Sequence, residues 1–121
     1  MMEIIQGLPE NVVAVAASGK VTGEDYENVL IPAIEDKIQK YGKIRMLYQL
    51  GKNYTGFTYE AMWDDTKVGI WHLAAFEKIA VVSDVDWIID AVKIFKFIIP
   101  CPVKIYRNEA LPEAEAWVSS G

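Results

Sequence analysis

One cysteine, one histidine and no excess of basic residues leave this 121-residue chain short of the groups on which most site chemistries depend. Cys101 cannot form an internal disulfide. Neither Cys101 nor His72 has a second ligand at Cys-x-x-Cys or His-x-x-x-His spacing, which argues against a transition-metal centre. No motif sets a base beside a nucleophile, so a Cys–His dyad would rest only on both residue types being present. The formal charge of −5 and the scattered Lys and Arg oppose phosphate backbones, and nucleic acid is not an expected partner. The N-terminus shows no basic stretch with a small-residue cleavage site, and cytoplasm is the expected location. The longest apolar stretch, Trp87 to Ile99, is interrupted by Asp90, Lys93 and Lys96 and falls short of the ~20 residues that cross a bilayer. Ser/Gly-rich linkers, repeats and low-complexity tracts are missing too, which points to one domain over residues 1–121. Nothing in the residues asks for a cofactor.

What is present is an apolar content of 52%, enough for a packed core, distributed in alternating β-prone and helical patterns. Glu3 to Gln6 and Val12 to Ser18 flank Gly7-Leu-Pro-Glu-Asn11 and suggest a hairpin. Thr22-Gly-Glu-Asp25 matches a capping box. Pro32 would break a helix from within, so a short first turn followed by a main helix with Pro32 near its start is expected. Ile34, Ile38 and Tyr41 share a face of that helix, and Gly42 can cap its C-terminus. Ile44 to Leu50 suggests a third strand, Gly51 to Phe57 a turn-rich loop, and Thr58 to Ala75 a second helix weakened by Gly69. Lys78 to Val82 is a compact strand. Ser83-Asp-Val-Asp86 is a second capping-box match, launching a third helix to Ile99 that Pro100 and Pro102 stop. Val103 to Tyr106 is the last strand, and Pro112 opens a closing helix to about Val118. The order ββαβαβαβα implies an α/β fold: a mixed four- or five-stranded sheet, parallel apart from the hairpin, with about four flanking helices.

Candidate chemistry is sparse. Gly51-Lys-Asn-Tyr-Thr-Gly56-Phe57-Thr58 has P-loop glycine spacing, but Phe57 stands where the phosphate-binding lysine belongs, and an ordinary loop is the better account. Glu60, Asp64 and Lys67 form a solvated face at helical spacing. The informative feature is an apolar surplus. In the third helix Ile88, Ala91, Val92, Phe95 and Ile99 suffice for sheet packing, which leaves Trp87, Ile94 and Ile98 on a neighbouring stripe and Phe97 near the wet side. In the second helix Met62, Thr66, Gly69, Ile70 and Leu73 make a core stripe, with Trp63, Lys67 and Trp71 beside or beyond it. One account has the two helices, or a homodimer, bury the excess. The other has Trp63, Ile70, Trp71, Trp87, Ile94 and Phe97 form the walls of a site between the second and third helices for an apolar or amphipathic, lipid-like molecule, or lie on a membrane surface, with Lys67, Lys93 and Lys96 meeting an anionic head.

Trp63-Asp-Asp-Thr-Lys67, Phe76-Glu-Lys-Ile-Ala-Val-Val-Ser-Asp84, Trp87, Pro102-Val-Lys-Ile-Tyr106 and Ala114-Glu-Ala-Trp117 together resemble the SpoIIAA-like family over nearly the whole chain. The resemblance implies a STAS-type fold, the class that includes bacterial anti-sigma-factor antagonists, and agrees with the element order above. It also implies helices with exposed or openable apolar surfaces and an association with lipid or membrane. Phosphoregulated STAS antagonists carry an Asp-Ser-Ser-Gly-like segment after the third strand. Here that place holds Asn53-Tyr-Thr-Gly-Phe-Thr58, with Thr55 and Thr58 as hydroxyls of a regulatory loop but without the acidic residue. The leading expectation is therefore a non-enzymatic domain for an amphipathic ligand, with peripheral membrane association. The alternative is a STAS-type protein-interaction module that lacks the usual phosphoserine motif.

Overall fold

The computed structural model describes residues 1–57, 73–97 and 99–120. Its centre is a five-stranded sheet in the order β1-β2-β3-β4-β5. β1 (Met2–Ile4) runs antiparallel to β2 (Val12–Val21). β3 (Ile44–Phe57), β4 (Phe76–Ser83) and β5 (Val103–Tyr106) continue from β2 in parallel. Every parallel crossover steps in the same direction across the sheet, and right-handed crossovers then bring the described connecting helices to one face. The packing agrees. Val13, Val15, Met46, Tyr48, Ile79 and Val81 meet Leu30, Ile34, Ile88 and Val92 from two helices on that face. The residues between them in sequence, Val12, Ala14, Leu47, Ala80 and Val82, meet Ala114 and Val118 of the closing helix on the other. A sheet covered on both sides needs apolar side chains at successive positions, which is why β2 opens with an unbroken buried run from Val12 to Val15.

Local chemistry sets most of the helix ends. Thr22 caps a short turn, α1 (Gly23–Asp25): its hydroxyl accepts from Asp25 N–H at 3.2 Å, and the Asp25 carboxylate accepts from Thr22 N–H at 2.9 Å. A π-type turn (Tyr26–Leu30) leads into α2 (Ile31–Tyr41), which carries Pro32 in its first turn, where no intrahelical donor is lost. Gly42, at φ +76°, closes α2 by donating to Ile38 C=O. Tyr41 departs from expectation. It is 42% exposed, because its hydroxyl reaches outward to Glu10 Oε2 at 2.6 Å instead of joining Ile34 in the core. Inside the core, the buried hydroxyls of Tyr26 and Tyr48 satisfy each other at 3.0 Å.

The segment read as a loop, Gly51 to Phe57, is instead strand. β2 extends to Val21 and supplies a partner, pairing Gly19 with Tyr54, Lys20 with Gly56 and Val21 with Phe57. The register shifts there at Gly19, whose φ of +60° suits a bulge. Backbone pairing outweighs the turn preference of the glycines, so no phosphate-binding loop forms over the described part of that segment. Thr58 to His72 lie outside the described residues, and Leu73–Ala75 is a single 3₁₀ turn.

The helix α3 (Asp86–Phe95) also differs from expectation at both ends. The Ser83 hydroxyl accepts from Val85 N–H at 3.0 Å, one residue too early for a capping box, and Val85 is the N-cap without a side-chain bond. The last intrahelical bond runs from Lys96 N–H to Val92 C=O, and the helix stops short of Ile99. Pro100 explains this, since it has no N–H to continue the ladder and disfavours helical geometry at Ile99. The closing helix α4 (Leu111–Ser119) has Pro112 in its first turn. Its C-terminal carbonyls receive cations: Arg45 Nη1 donates to Val118 C=O at 3.0 Å and to Ser120 C=O, and Lys78 Nζ donates to Trp117 C=O at 3.1 Å.

Candidate functional site

α3 is amphipathic in an unusual sense, since it has a buried apolar face and an exposed one. Ile88 and Ile89 are buried and Val92 packs against the core. Trp87, Ile94 and Phe97 are 57%, 67% and 84% exposed, and they make up three of the six exposed large hydrophobics among the described residues. Trp87 and Ile94 are seven positions apart, two turns up the same side and about 10 Å along the axis. Phe97 follows three residues later in the turn after the helix. Asp90 interrupts the stripe, exposed between Trp87 and Ile94. Single exposed apolar side chains are ordinary, but three on one stripe form a surface that water solvates poorly.

Cations edge this stripe. Lys93 and Lys96 are exposed on the same helix, and Lys96 Nζ lies 5.5 Å from the centre of the Phe97 ring. The two lysines, with Val103, Lys104, Ile105 and Tyr106, line an open groove of about 390 Å³ along β5. In a chain of net charge −5, this corner is locally basic and apolar. The combination suits an anionic head joined to an apolar body.

The carboxyl ends of the parallel strands, where open α/β sheets usually bind ligands, are braced by Asn108. Its side-chain amide donates to Leu50 C=O at 3.1 Å and to Asp84 Oδ2 at 3.2 Å, and accepts from Gln49 Nε2 at 3.2 Å. Its backbone N–H donates to Asp84 Oδ1 at 3.1 Å. A smaller groove of about 270 Å³ opens between Asp84, Arg107, Asn108 and Glu109. Arg107 reaches Asp86 only at 3.8 Å. The cluster ties β3, β4 and the end of β5 together. It sets no base against a nucleophile.

Of the residues singled out in the sequence, Trp87, Ile94 and Phe97 lie on the exposed stripe. Trp63, Lys67, Ile70, Trp71 and Thr58 lie outside the described residues. Thr55 is exposed, but in the paired extension of β3 rather than in a loop. Cys101 is half-buried in the approach to β5, and burial pushes its thiol above the ordinary range, so it rests protonated. Among the described residues no group of three His, Cys, Asp or Glu side chains could hold a metal ion. Nor is any described helix long and apolar enough to cross a membrane.

Sequence reasoning missed Asn108 and Lys104. An Asn two residues after the last strand and an Asp directly after the preceding one were visible signals for the first. For the second, a strand order that steps always one way leaves the final strand at an edge, where its lysine is displayed.

The model of the SpoIIAA-like family matches residues 12–119. No curated protein matches the chain. A solved structure with a SpoIIAA-like fold, an uncharacterized DUF3478-family protein from Shewanella loihica PV-4, superposes with a TM-score of 0.75. The two are 26% identical over 98% of this chain and 92% of that one.

Proposed function

The chain belongs to the SpoIIAA-like family, and on that premise we propose that it is a non-enzymatic binding domain of STAS type that takes an amphipathic molecule with an anionic head on the exposed face of α3. The observation that carries this reading is the stripe of Trp87, Ile94 and Phe97 with Lys93 and Lys96 beside it. Covering the three apolar side chains gains roughly 1–2 kcal/mol each. Association costs at least ~4 kcal/mol in lost freedom, so the stripe alone holds a ligand weakly. Each lysine adds about 1 kcal/mol near an anionic surface. The expected complex is therefore weak, reversible and sensitive to salt.

Two sources share this chemistry: a free fatty acid and an anionic lipid within a bilayer. Co-sedimentation with phosphatidylglycerol vesicles, with phosphatidylcholine vesicles as the neutral control and dodecanoate as competitor, separates them. Binding to the anionic vesicles alone identifies a membrane surface. Competition by dodecanoate without vesicle binding identifies a free amphiphile. A chain that ignores both, or that binds equally when Ile94 and Phe97 are changed to Glu, contradicts the proposal.

A protein-interaction role centred on Thr55 has less support, because Thr55 lies within the strand β3, between the paired Tyr54 and Gly56, and no acidic residue precedes it as in phosphoregulated STAS antagonists.

A further inference from the structure

The sheet ends at β5, and among the described residues no strand covers the outer side of β5. Ile79 N–H donates to Pro102 C=O at 3.0 Å, and Ile79 pairs with Val103. In a parallel ladder the direction of the backbone groups alternates. Residues 102, 104 and 106 therefore face β4, while Val103 and Ile105 turn their N–H and C=O groups outward. Four backbone hydrogen-bonding groups stand in a row along the open edge.

From this edge and its charges we infer a protein-docking site: β5 accepts an extended acidic segment of another polypeptide as an added strand. The lysines select the partner. Lys93 and Lys96 come from α3 on one face of the sheet, whereas Lys104 Nζ lies 5.1 Å from the Trp117 ring of α4 on the other. An added strand sends alternate side chains to the two faces. Its carboxylates then meet Lys93 and Lys96 on one side and Lys104 on the other. A second copy of this chain, pairing β5 against β5, would set lysine against lysine, and like charges across a strand pair oppose one another. Lysines on an open edge guard against such self-association, and the same charges favour an acidic strand. This site shares Lys93 and Lys96 with the amphiphile reading, but it takes its backbone bonds from β5 and does not depend on Trp87, Ile94 or Phe97.

The test is an amide-resolved NMR titration of the full chain with a capped hexapeptide of alternating Glu and Val, beside its Lys-Val counterpart. The expected result is that the Val103 and Ile105 amides shift most and exchange more slowly with water. The Lys-Val peptide should bind about tenfold more weakly. Ile105→Pro removes one outward N–H and leaves the bonds to β4 in place, so it should weaken the Glu-Val peptide about fivefold. Lys93→Glu combined with Lys104→Glu leaves the backbone untouched and should abolish binding, which keeps the test decisive if the proline variant fails to fold. Equal binding of the two peptides, or shifts on Trp87 and Ile94 in place of β5, would overturn the inference. So would a concentration-dependent dimer that Ile105→Pro dissolves, since it would assign the edge to a second copy.

Discussion

Replacing Asn108 tests whether the strand ends are held by the network described above. Asn108→Ala removes two donated and one accepted side-chain bonds. At a net ~0.5–1.5 kcal/mol each, with water relieving part of the loss at a half-buried position, the cost is about 2 kcal/mol. Asn108→Asp keeps the shape but turns a donor into an acceptor. Its second oxygen would face Asp84 Oδ2 and Leu50 C=O at the 3.2 and 3.1 Å now spanned by the amide. Two carboxylates at that separation cannot both ionise without cost, and with solvent at the exposed Asp84 screening part of the repulsion this variant should lose about 3 kcal/mol at neutral pH, more than the alanine variant. The pair's folded-state carboxyl is raised above its unfolded value. The penalty is thus full above that folded value and is relieved as the pH falls through it, when a shared proton restores a donor. Urea unfolding of the parent and both variants at pH 7 and pH 4.5 reads this directly, with a midpoint shift of roughly 1–2 M expected at pH 7. An aspartate variant within about 0.5 kcal/mol of the parent at pH 7, or one whose deficit against the alanine variant is the same at both pH values, would refute the reasoning.

The two kinds of apolar residue should separate in stability measurements: Ile34→Ala, at a fully buried site, should cost about 2–5 kcal/mol in chemical unfolding, and Ile94→Ala less than about 0.5. A large loss at Ile94 would place it in the core and remove it from the exposed stripe. Burial pushes the Asp25 carboxyl up, but hydrogen bonds from the Thr22 backbone and hydroxyl and the nearby N-terminal ammonium together hold it below the ordinary range. Its contribution is present above the ordinary carboxylate range and is lost as the pH falls through the lowered folded value. Asp25→Asn should therefore flatten the acid limb of stability between pH 5 and 2, as followed by thermal unfolding at each pH, and an unchanged limb would count against the capping box.

Features governed by neighbours in the chain were legible in the sequence. Thr22 with Asp25, Pro32 at a helix start, Gly42 at a helix end and Pro112 all act within one turn, and the structure places each where the residue types put it. A mixed sheet, parallel apart from the first hairpin, followed from the alternation of patterns. Gly51 to Phe57 was misread because its partner, Gly19 to Val21, lies more than thirty residues away and overrides local turn preference. Ser83 and Asp86 carry the right residue types for a capping box, yet the hydroxyl is taken by Val85 N–H. Tyr41 has core spacing, but a carboxylate from a distant turn draws its hydroxyl outward. For the candidate site, helical spacing separated Ile88 and Val92 from Trp87 and Ile94, and that separation survives in the fold. The brace at Asn108 and the open edge at β5 depend on which strands end up adjacent, and periodicity does not carry that information.

The central claim, that the exposed face of α3 binds an amphipathic anion, is tested most directly by titrating the isotope-labelled chain with dodecanoate below its micelle concentration and following every backbone amide. The expected result is saturable shifts confined to residues 86–97 and the adjoining β5 groove, weakened by salt and lost in an Ile94→Glu, Phe97→Glu variant whose remaining spectrum is that of the parent. An α3 that stays silent through the titration, or shifts that survive the double substitution, would contradict it.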